Sequence, residues 1–99
     1  MSHVIEGPAG TITISDAALH QVVSGAVGLV TGARLRRRRA VELEVKAGRA
    51  RVALELAAPL GAVLPDLARG VQEHVTAALA GMCGLAVEAV DVAIEALDP

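Results

Sequence analysis

The stretch that most restricts this chain is VELEVKAGRARVALELA, residues 41–57. Val41, Leu43 and Val45 alternate with Glu42, Glu44 and Lys46. Beyond Ala47-Gly48, residues Ala50, Val52, Leu54 and Leu56 alternate with Arg49, Arg51, Ala53 and Glu55. A period of two sends successive side chains to opposite faces of a strand. Two such runs about a glycine turn predict a β-hairpin with one dry face and one wet face. On the wet face Glu42 and Glu44 are expected across from Arg49 and Arg51, pairs that contribute roughly 0.2–1 kcal/mol each.

The dry face needs a cover, and two segments of helical period supply it. Ser15 offers a capping hydroxyl and Asp16 a first-turn acid; Leu19, Val22, Val23, Ala26, Val27 and Val30 then repeat at spacings of three and four, ending near Thr31-Gly32. Pro59, Gly61 and Pro65 precede a second stripe of Leu64, Leu67, Ala68, Val71, Val75, Ala78, Leu79 and Met82, which Gly84 terminates. TITIS, residues 11–15, reads as a short strand, and Val90, Val92 and Ile94 alternate with Asp91, Ala93 and Glu95 in a last one. The order β-α-β-β-α-β predicts an α+β fold, a single-domain two-layer sandwich with two helices on one face of a mostly antiparallel sheet. Residues 1–10, with Gly7, Pro8 and Gly10, are expected as a flexible lead-in, and residues 11–97 as the single domain. The chain is 54% hydrophobic yet has no Phe, Tyr or Trp, so its core is aliphatic, gains less per residue than an aromatic one, and favours further burial by self-association.

Few chemical functions find their residues here. Ser15 is committed to capping, Ser24 sits mid-helix, His20 and His74 flank apolar stripes, and Cys83 reads as a small buried thiol. No nucleophile has a base at a recognisable spacing, so no catalytic residue is assigned and the chain is expected not to be an enzyme. His3, His20, His74 and Cys83 lack the paired short spacings of zinc sites; no metal, cofactor or small-molecule substrate is expected. Gly25-x-x-Gly28 resembles a nucleotide-clamping GXXG, but Ala26 and Val27 continue the apolar stripe, so these glycines are expected to mark close helix packing. A single cysteine permits no internal disulfide, and the first residues show no secretory signal. A cytoplasmic location follows as the expectation, with any membrane association peripheral, because the uncharged run Ala17–Ala33 is amphipathic.

The conspicuous feature is RLRRRR: Arg34, Leu35, Arg36, Arg37, Arg38 and Arg39. Residues 1–49 hold seven basic and four acidic groups (+3), residues 50–99 two and seven (-5). Such asymmetry favours a charged partner or contact between copies. Arg34–Arg39 is therefore the candidate partner- or membrane-contact loop, with Leu35 adding an apolar contact. The alternative is a nucleic-acid backbone binder using the same loop, with a salt slope of about -4 to -5 and no sequence selectivity. The lack of aromatics removes every base-stacking platform and makes nucleic acid the less favoured partner.

The order of motifs resembles the alkaline shock protein family, the envelope stress response proteins of Gram-positive bacteria. GTITISDAALHQVVSGAVG is similar to that family's glycine, short strand, Ile-Ser and helix. VQEHVTAALAGMCGLAVEAVDVAI resembles its second helix with Val71-Gln72 and Val75, then Met82-x-Gly84-Leu85, then Val90 and Val92. AAPLGAVLPDLA is similar to the glycine-containing segment that opens that helix, and the likeness spans roughly residues 10–97. The resemblance implies a cytoplasmic, non-enzymatic α/β protein of envelope homeostasis that forms homo-oligomers. Some members gather at the membrane through a membrane-anchored protein partner. It brings no catalytic residues, and TGARLRRRRA stands where many members have a glycine-rich loop.

Overall fold

The computed structural model describes residues 2–37 and 40–97. The chain runs β1 (Ser2–Gly7), β2 (Gly10–Ser15), α1 (Asp16–Gly28), β3 (Arg34–Leu35), β4 (Val41–Lys46), β5 (Arg49–Pro59), α2 (Leu64–Cys83) and β6 (Ala86–Leu97). It is an α+β fold of two layers, with both helices on one face of a mostly antiparallel main sheet. Two strands exceed the expected order. Ser2–Gly7, read from sequence as part of a lead-in, pairs with β2 in a separate two-stranded sheet running from Ser2↔Ser15 to Gly7↔Gly10. Arg34–Leu35 adds the short β3.

β5 organises the main sheet. One edge pairs antiparallel with β4, from Val41↔Leu54 to Lys46↔Arg49, and further along with β3 at Arg34↔Ala57 and Leu35↔Leu56. The other edge pairs with β6 along its whole length, and this pairing is parallel. Parallel neighbours require a crossover, which the 20-residue α2 provides. The turn at Ala47-Gly48 has φ of 52° and 75°, the left-handed geometry of a tight hairpin.

Ala50, Val52, Leu54, Leu56 and Ala58 of β5 meet Leu19, Val23, Ala26 and Val27 of α1 and Leu67, Val71, Val75, Leu79 and Cys83 of α2 in one aliphatic core. No polar or charged side chain is buried among the described residues. Ser15 caps α1 as its sequence suggests, its Oγ accepting from Ala18 N at 3.1 Å. Gly84 ends α2 in the left-handed conformation at φ 68°. The reading of Gly25 and Gly28 as close-packing residues is corrected: both are exposed, and a Cβ on either would meet only open space. Gly70 of α2 is closer to a neighbour: a Cβ there would stand 3.5 Å from Val30 Cγ1, just past the end of α1.

Candidate functional site

Arg34–Arg39 does not hang free from the fold. Leu35 alternates inward beside Leu56 and packs half-buried on the core, anchoring the segment. The chain then arches away from the sheet edge and returns: Arg36 N donates to Glu55 O at 2.9 Å, Ala40 N to Arg37 O at 3.1 Å, and Glu55 N to Ala40 O at 2.9 Å. Arg34, Arg36 and Arg37 are exposed. Arg36 Nε lies 2.6 Å from Glu95 Oε2 of β6, and Arg37 Nη2 donates to Glu55 Oε1 at 3.1 Å. Pairs so exposed contribute at most about 1 kcal/mol, and they orient the guanidinium groups more than they neutralise them. Arg38 and Arg39, the rest of the candidate loop, lie outside the described residues.

Two further turns flank this arch. Leu29–Gly32 leaves α1, and Pro59–Val63 joins β5 to α2. A Cβ on Gly32 would stand 3.6 Å from Leu67 Cδ1 and 3.8 Å from Pro59 Cδ, so the turns lie against each other. They carry Leu29, Leu60 and Val63, exposed by 72%, 56% and 62%. Sequence reasoning had no place for these three, since none belongs to a helical stripe or a strand alternation. The missed signal was an aliphatic residue at each cap or turn position.

The sheet face away from the helices is wet. Register places Glu44 beside Arg51, as expected, but Lys46 beside Arg49. Arg51 Nη2 approaches Glu88 Oε2 at 3.8 Å. Glu42, Ala53 and Asp91 form one row across three strands, in a shallow depression of about 300 Å³ that Ala40, Glu55 and Ala93 also line. Elsewhere, His3 Nε2 lies 2.7 Å from Asp16 Oδ1, and that hydrogen bond holds the Asp16 carboxyl below its ordinary value. Burial pushes the Cys83 thiol up, making it a poorer nucleophile. No three His, Cys, Asp or Glu side chains converge to hold a metal ion among the described residues. No helix there is long and apolar enough to cross a membrane.

No family model matches the chain, and no curated protein does. The fold is similar to solved structures of MamM-CTD. MamM-CTD 215-293 is 18% identical with a TM-score of 0.59, covering 84% of this chain and 100% of that one. A cadmium form is 20% identical at a TM-score of 0.57, over 82% of this chain and 95% of that one. A copper form is 18% identical at 0.58, over 84% and 99%. At such identities the likeness is one of fold.

Proposed function

We propose that this protein is a non-enzymatic, self-associating scaffold or interaction module of the alkaline-shock type, serving envelope stress and homeostasis at the cytoplasmic membrane face. The observation that supports this best is the set of backbone hydrogen bonds that ties Arg36 and Ala40 to Glu55 and Ala40 to Arg37, which holds the exposed Arg36 and Arg37 guanidinium groups at a sheet edge. A preorganised basic surface loses little conformational entropy on meeting an acidic one. Its partner is a membrane-anchored protein or the anionic membrane itself.

Self-association draws on the other end of the molecule. A two-stranded hairpin is marginal in water without a third partner, and β1–β2 exposes Val4 by 62% and Ile12 by 59%. They project from opposite faces of the hairpin, Val4 beside Thr13 and Ile12 beside Ile5, and a second copy that embraces or exchanges the hairpin would cover both. Sedimentation equilibrium across a wide dilution series tests this: a mass above that of the 99-residue chain is expected, and Val4→Glu with Ile12→Glu shifts it toward monomer. A wild-type chain that stays monomeric at every concentration, and captures no acidic protein or anionic vesicle, overturns the reading.

A further inference from the structure

We propose that the end of the molecule bearing the arginine arch docks directly on an anionic lipid bilayer. Leu29, Leu60 and Val63 enter the interfacial layer while the arginines contact headgroup phosphates. The inference rests on the reading of the Arg34–Arg39 segment as a contact surface, and goes beyond it in naming a lipid occupant and three aliphatic residues.

Val63 is the N-cap of α2 and makes no side-chain cap bond, where Ser, Thr, Asp or Asn would satisfy a free N–H. Leu60 sits in a turn closed by Ala62 N donating to Pro59 O at 3.2 Å, with φ of 93° at Gly61, where polar residues are usual. Leu29 is the C-cap of α1 and is the most exposed of the three. Local chemistry favours a polar cap at Val63 and a turn former at Leu60, and Leu29 stands open to solvent, yet all three are aliphatic. They come from turns that the Gly32 contacts bring together beside β3.

Charge selects the occupant. Segment 34–39 carries five arginines in sequence; the described three, Arg34, Arg36 and Arg37, are exposed, and the pairs of Arg36 with Glu95 and Arg37 with Glu55 are themselves about half exposed and leave the guanidinium groups accessible. A basic surface with aliphatic tips matches the bilayer interface, where headgroup charge and acyl chains lie within a few ångströms. Each arginine near an anionic surface strengthens binding by about fivefold, and each buried leucine-sized side chain by about tenfold or more. A nucleic-acid backbone would use the charge and leave the aliphatic residues idle.

The test is co-sedimentation of the full chain with phosphatidylcholine vesicles, with and without phosphatidylglycerol, at low and high salt. Binding to the anionic vesicles is expected, weakened but not abolished by salt. Leu29→Gln, Leu60→Gln and Val63→Gln combined should lower affinity by about a thousandfold and keep the salt slope. Arg34→Gln, Arg36→Gln and Arg37→Gln combined should flatten that slope. Met82→Gln, at an exposed aliphatic position on the far end of α2, should change nothing, and circular dichroism confirms that each variant folds. No binding by the wild type, or equal binding by the aliphatic variant, overturns the proposal. Equal or tighter salt-dependent binding to duplex DNA, with vesicles ignored, overturns it in favour of a nucleic-acid backbone. A chain that self-associates but ignores vesicles sinks lipid docking alone and leaves the interaction module standing.

Discussion

At the scale of single residues, backbone strain and one hydrogen bond decide more than their size suggests. Ala47 adopts φ 52°, where an L side chain costs about 1–2 kcal/mol and glycine costs nothing sterically. Ala47→Gly gives back about 0.5–1 kcal/mol through the freer unfolded chain, so a net gain of roughly 0.5–1 kcal/mol is expected. A higher urea midpoint with an unchanged slope would show it. Asp16 works through its charge. Its carboxyl is depressed by the hydrogen bond to His3, so it stabilises the fold above its unfolded value and loses that contribution as pH falls through the folded one. Thermal melts should therefore show Asp16→Asn less stable at neutral pH, with a shallower decline below the ordinary aspartate range near about 4. The capping role of Ser15 was legible in sequence because it involves Ala18, three residues on. The His3–Asp16 contact was not, because it depends on β1 folding back against β2.

At the scale of elements, periodicity identified both helices and the hairpin, since each buries one face. Leu19, Val23 and Val27 in α1 and Val71, Val75 and Leu79 in α2 are fully buried at spacings of four, the centre line of the stripe that marks each helix in sequence. Element ends were less legible. α1 stops at Gly28 rather than near Gly32, and β1 hid in a segment rich in glycine and proline. Gln72, beside the buried stripe of α2, donates to Val90 O of β6 at 3.0 Å and occupies a carbonyl of an edge strand. α2 also sets stability against contact. Val63→Asp supplies the missing cap, so it should stabilise the fold by about 1 kcal/mol in chemical denaturation while weakening sedimentation with anionic vesicles. A variant that gains stability and keeps full vesicle binding would remove Val63 from the docking surface.

At the scale of the whole molecule, the long axis is 49 Å, against 22 and 18 Å across, and the two surfaces proposed for self-association and for docking are carried on either side of α1. The hairpin β1–β2 precedes α1, and the arginine arch and aliphatic turns follow it, so self-association and surface docking need not compete. The two sets of variants, Val4 with Ile12 and Leu29 with Leu60 and Val63, should accordingly act on different assays. By itself the sequence determined both helices, the β4–β5 hairpin and β6 with their dry faces, that the core is aliphatic, and that five arginines fall together, but not the strands β1 and β3. Those properties follow from local period and composition. Only the tertiary structure decided that β6 lies parallel to β5, because an alternating strand has the same period in either direction. It also decided that Leu35 anchors the arginine segment, and that turns some thirty residues apart in sequence bring Leu29 to the same end as Leu60 and Val63. Strand direction and surface clustering arise from contacts distant along the chain, and no local pattern records them.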